Sequence, residues 1–148
     1  MKNLFSSAII ILAAILYLSG CSGSKSTTKS TSSKVSESAF TNQISKSLGI
    51  TNSQTEAGLG AMMMLSKEKL SPDDFSKLTK DLPGGSDLIN QAEKLGVVPG
   101  SVSSTADILK VLNKLGISPV EAAKFVPAVL GAAKSLGGGA FGLLSKVF

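Results

Sequence analysis

From Ser38 onward the chain is divided by paired start and stop signals for helices, and these leave little room for any other regular structure. Phe40, Ile44 and Leu48 recur at four-residue spacing on one helical face, and Gly49 supplies a left-handed stop. Thr51 with Gln54 three residues on is a capping box for a segment running from Asn52 to about Lys69. Ser71-Pro72-Asp73-Asp74 is a third start, with a capping serine, proline at the first position and acids in the first turn. Phe75, Leu78 and Leu82 give it one apolar face, and Leu82-Pro83-Gly84-Gly85 ends it. Ser86 is expected to cap a helix through Leu88, Ile89, Ala92 and Leu95, and Ser104 or Thr105 one through Ile108, Leu109, Leu112 and Leu115. Gly96 and Gly116 stop these two. Ser118-Pro119-Val120-Glu121 repeats the start signal ahead of Phe125, Val126, Val129, Leu130 and Ala133, and Pro127 is expected to kink that helix. The Leu-Gly stop recurs at Leu48, Leu95 and Leu115 without a fixed period, so it is shared punctuation and not a solenoid. The expected architecture is all-α: one domain over residues 38–148, built from about six short helices.

The residues ahead of this domain read as address and tether. Lys2 is followed by an apolar run from Leu4 to Leu18, and then by Leu18-Ser19-Gly20-Cys21, which holds the only cysteine of the 148 residues. The pattern resembles a lipoprotein signal, in which the enzyme that cuts before the cysteine recognises Leu18, Ser19 and Gly20. The Cys21 thiol then carries palmitate-type acyl chains. The run is shorter than the ~20 apolar residues that a spanning helix needs. Two or three acyl chains hold a protein to a bilayer stably, whereas one does so marginally. Residues 1–20 are thus expected to be signal, and residues 21–37 a lipidated cysteine with a flexible linker. Ten of the sixteen residues from Ser22 to Glu37 are Ser or Thr, with Lys25, Lys29 and Lys34 among them. A coil of that length spans about 20–24 Å on average and about 55 Å at full stretch. Its lysines suit either a solvated spacer or contact with anionic headgroups.

Composition then narrows the chemistry. Without residues 1–20 the chain keeps 14 lysines against 10 acids, and it has no arginine and no histidine. There is no side chain that titrates near neutrality, no Ser-His or Cys-His dyad and no imidazole ligand for zinc. Tryptophan is absent and Tyr17 lies in the signal, so base-stacking platforms are thin and nucleic acid is an unsuitable partner. No catalytic residue, cofactor or metal site is expected. Met62-Met63-Met64 points three ways around a helix and reads as core packing. Asp73 and Asp74 diverge by about 100° and read as helix-dipole partners, not as an acid–base pair. From Ala122 to Phe148 there are three lysines and no acid. Behind Gly137-Gly138-Gly139 the tail gathers Phe141, Leu143, Leu144, Val147 and Phe148, expected to be an exposed contact surface on a glycine hinge.

Several stretches together resemble the VcgC/VcgE-like family, a bacterial domain of unknown function. They are Leu48-Gly49-Ile50-Thr51, the run from Lys67 to Phe75, the Leu82-Pro83-Gly84 break, and Leu115-Gly116-Ile117-Ser118-Pro119 leading to Phe125-Val126-Pro127. The resemblance covers Gln43 to about Leu136 and implies a small, secreted, helical domain from a Gram-negative envelope. It carries no catalytic residues over. Ser22, in place of an aspartate associated with inner-membrane retention, then favours the outer membrane, facing the periplasm. Together these readings make the chain a lipid-anchored, non-enzymatic envelope protein, held to the membrane by its N-terminal lipid and contacting an envelope partner. The alternative is a carrier for a small apolar ligand or lipid, suggested by the Gly/Ala/Met-rich stretch from Ala57 to Leu65.

Overall fold

A computed structural model of the protein describes residues 36–137 and 139–148. Leu18, Ser19, Gly20, Cys21 and the linker that follows lie outside the described residues. Seven helices and no strand are present among those described: α1 Glu37–Leu48, α2 Asn52–Lys69, α3 Pro72–Asp81, α4 Leu88–Lys94, α5 Thr105–Lys114, α6 Pro119–Ser135 and α7 Ala140–Leu144. The fold is all-α, as the start and stop signals require. Six of the helices follow the expected segments, and the seventh is the short C-terminal helix, in the tail where the sequence allows one last apolar turn.

The capping signals act as their chemistry demands. Thr51 and Gln54 close a reciprocal capping box on α2, and Ser118 and Glu121 do the same on α6. Ser71 accepts the Asp74 N–H, and Ser104 the Asp107 N–H. Ser36 caps α1, and Glu37 is already helical. Ser86 does not cap α4. The chain from Leu82 to Asp87 winds through tight turns, in which Gly85 N–H bonds Leu82 O and Asp87 N–H bonds Gly84 O, and Leu88 N–H closes the first turn onto Gly84 O. At the other ends, Gly49, Gly96 and Gly116 all have positive φ, of 68°, 93° and 82°. The residue after each glycine turns back to donate to the helix: Ile50 to Ser45 O, Val97 to Ala92 O and Ile117 to Leu112 O. Val97 and Ile117 are thereby buried at 3% exposure, which links each stop to the core.

The leucine of each stop also sets a pattern of burial. The residues seven and three positions before Leu48, Leu95, Leu115 and Leu136 are Thr41 and Ser45, Leu88 and Ala92, Ile108 and Leu112, and Val129 and Ala133. All eight are buried. Four helices therefore meet the core in the same register relative to their stop, although their sequence spacing is irregular.

Helix α2 is the centre around which the others pack. It contacts α1, α3, α4 and α5, and every residue from Ala57 to Ser66 is buried. This departs from the single apolar side expected from Ala57, Gly58, Ala61, Met62 and Leu65, because Leu59, Gly60, Met63 and Met64 are enclosed as well. Two glycines permit it. A Cβ at Gly60 would run into Ala92 and the Leu88 carbonyl of α4. A Cβ at Gly58 would lie 2.7 Å from Phe125 Cε1 and 2.9 Å from Leu112 Cδ2. Two positions apart on a helix, Gly58 and Gly60 face roughly opposite ways. One lets the α4 backbone approach, and the other admits the α6 ring. Helix α6 continues through Pro127 to Ser135 as one element. Phe75, read as a core residue of α3, is only half-buried, while Leu78 and Leu82 are the buried members of that face.

Candidate contact surface

The C-terminal tail is built differently from the sequence expectation. Ala140, Leu143 and Leu144 are buried at 0, 8 and 1% exposure, and Val147 and Phe148 pack against the same core. Helix α7 lies against α3 and α6, where those two helices offer apolar surface that leucines cover better than water does. Of the five residues expected to form an exposed cluster, Phe141 alone is an exposed large hydrophobic, at 37%. The correction has a plain cause. In this short helix Ala140, Leu143 and Leu144 turn toward the bundle, and the turn that follows brings Val147 against the same core.

The outer side of α7 carries Phe141, Gly142, Ser145 and Lys146, all exposed. It forms one wall of an open groove against α3, about 420 Å³ in volume, lined by Asp74, Lys77, Lys80, Asp81, Gly139, Gly142, Leu143 and Lys146. Lys146 Nζ donates to Asp74 Oδ2 at 3.1 Å, tying the last turns of the chain to the first turn of α3. Lys77 Nζ lies 3.9 Å from Asp74 Oδ1. At the other end of the groove Gly139 N–H donates to Asp81 Oδ2 at 3.0 Å. Beyond it, Lys134 Nζ stands 6.0 Å from the centre of the Phe141 ring, within cation–π range. The groove thus has an apolar floor at Leu143, a lysine rim, and carboxylates already bonded to neighbours.

This surface was not legible as a site in the sequence. Asp74 and Lys146 are 72 residues apart, and neither neighbourhood signals the other. Asp74 was read as a dipole partner of its own helix, a role its first-turn position on α3 keeps. No group of three or more Cys, Asp or Glu side chains among the described residues is placed to hold a metal ion. Elsewhere, hydrogen bonds from the Ser104 hydroxyl, the Lys110 ammonium and the Ser103 N–H hold the Asp107 carboxyl well below the ordinary carboxylate range. That cluster belongs to the N-terminus of α5 and is a cap in function. Met62, Met63 and Met64 are all buried, in accord with a packing role.

A family model described as protein of unknown function VcgC/VcgE matches residues 19–142 of the chain. The chain belongs to the VcgC/VcgE family. The match is wider than the resemblance read from the sequence, beginning at Ser19 beside Cys21 and ending at Gly142 on the outer side of α7. The family description assigns no activity, so the groove takes no role from it. No curated protein and no solved structure shows significant similarity to the chain.

Proposed function

We propose that this VcgC/VcgE family member is a lipid-anchored, non-enzymatic component of the cell envelope, held by acylated Cys21 and facing the periplasm from the outer membrane. One observation carries the reading: the chain's single cysteine directly follows Leu-Ser-Gly at the end of an apolar run, with a Ser/Thr-rich tether behind it. The described helices are compatible with attachment from outside the bilayer, since none is long and apolar enough to cross a membrane. The working part is then the helical domain, which meets another envelope component through its surface. The α3–α7 edge supports this role, because it combines an exposed phenylalanine with a lysine rim.

The carrier reading is the less favoured of the two. The space beside Gly58 and Gly60 of α2 is taken by Phe125, Leu112, Ala92 and the α4 backbone. Close helix packing accounts for them. The anchor is tested by Cys21→Ser in the native host. Acylation should be lost, lipoprotein-type processing should stop, and the protein should leave the detergent-extracted membrane fraction. Unchanged processing and acyl labelling of that variant would refute the assignment.

A further inference from the structure

The α3–α7 edge has a charge and a position that together select an occupant, and we infer that it docks onto anionic phospholipid headgroups. Lys77, Lys80 and Lys146 face the phosphates, and Phe141 enters the interfacial layer. The inference rests on the anchored reading for what brings the domain to a bilayer, and on the described surface for what touches it.

Two acids of the edge are already engaged. Asp74 accepts from Lys146 at 3.1 Å and lies 3.9 Å from Lys77, while Asp81 accepts the Gly139 N–H. Both carboxylates serve to hold α7 on α3; three lysines (77, 80 and 146) line the groove with them, and Lys134 stands beside the Phe141 ring. With exposed Asp73 counted beside Asp74 and Asp81, the four lysines leave the edge net positive by one, and residues 122–148 contribute no acid to offset it. The side chains of Lys77 and Lys146 are 68 and 60% exposed, so both keep donors free for a second partner. Lysine is a point charge without the planar fork of arginine. It suits a fluid layer of phosphates better than one rigid bidentate ligand. The exposed Phe141 ring beside Lys134 gives the edge the apolar-plus-cationic character of an interfacial contact.

The turn after α3 lies between the start of the domain and the groove. Glu37, the first residue of α1 and the end of the tether, packs its side chain against Gly84, where an added Cβ would lie 2.6 Å from Glu37 Cγ. Asp81, three residues earlier, holds Gly139 at the groove. Three residues span at most about 11 Å. The start of the domain and the rim of the groove therefore flank one turn. A tether ending at Glu37 keeps the groove within reach of the bilayer without fixing its orientation. Each lysine near an anionic surface adds a weak attraction, which the tether converts into occupancy by holding the local concentration high.

The absence of tryptophan provides the test. The full acylated protein carrying Phe141→Trp is reconstituted in vesicles of phosphatidylcholine, and in vesicles of an equal phosphatidylcholine–phosphatidylglycerol mixture. Co-sedimentation with both reports the anchor. Blue-shifted emission, quenched by brominated lipid, reports docking. We expect docking in the anionic vesicles only, and its loss either in about 1 M salt, where screening acts within roughly 3 Å, or on adding Lys77→Gln, Lys80→Gln and Lys146→Gln. Ser145→Trp, on the same exposed side, repeats the measurement if the first variant misfolds. Anchored protein whose tryptophan stays in water in anionic vesicles overturns the docking face while leaving the anchor intact, and directs attention to an acidic protein partner. Equal blue shifts in both vesicle types overturn it too, because headgroup charge then plays no part. Failure to co-sediment with phosphatidylcholine, with unmodified Cys21 by mass, instead overturns the anchor; docking is then judged by emission of the same protein added to the anionic vesicles.

Discussion

At the scale of single residues, glycine placement in α2 carries more structural information than any charged group. Gly60→Ala directs a methyl into the Leu88 carbonyl, which no side-chain rotation relieves, so the variant should lose about 1–3 kcal/mol in denaturant unfolding. Gly131 in α6 has open space where a Cβ would stand, so Gly131→Ala should gain about 0.4–1 kcal/mol in the same assay. Opposite signs at two helical glycines would establish the close approach of α4. Asp107 offers a test in pH. Its carboxyl is held below the ordinary value, so it favours the folded state above the unfolded pKa of about 4, and that advantage fades as pH falls toward the folded value. The difference in Tm between the native protein and Asp107→Asn should therefore shrink below about pH 4, and a pH-independent difference would contradict the assignment. Helical spacing in the sequence placed Phe40, Ile44, Leu78, Ile108 and Leu112 in the core correctly. It overrated Phe75, since spacing gives a direction around a helix and not the depth of the neighbour it meets.

At the scale of elements, the boundaries were legible wherever a side chain caps the backbone. Thr51, Ser71, Ser104 and Ser118 start the helices they were expected to start. Ser118→Ala should cost about 1 kcal/mol through loss of the Glu121 N–H bond. The start of α4 was not legible, because backbone turns from Leu82 to Asp87 replace a side-chain cap there. The centrality of α2 was hidden for a related reason: small and thioether side chains all around a helix give no clear apolar face. The tail was misjudged because an apolar cluster behind glycines has the same sequence whether it docks or projects. Its docking makes a sharp prediction. Leu144→Ala should destabilise the domain by about 2–5 kcal/mol, whereas Phe141→Ala should cost far less, as read by chemical denaturation. Equal small effects would place the tail outside the core.

At the scale of the whole molecule, the sequence conveyed fold class better than contact. Start and stop signals are local, so an all-α fold can be read from them. The groove between α3 and α7 joins residues that the chain separates by the rest of the domain, so no local pattern announces it. One core runs through all seven helices, and it includes Phe40 of α1 and Leu144 of α7. The described domain should accordingly unfold in a single transition, with circular dichroism and an intrinsic probe at Phe141→Trp coinciding. The proposed role joins that domain to a membrane through Cys21, so that residue is the one to examine. The most direct measurement is the intact mass of the protein extracted from the envelope of its native host. The account predicts a chain beginning at Cys21 with added fatty-acyl mass on that residue. A chain that retains residues 1–20, or one whose Cys21 carries no acyl group, would contradict it.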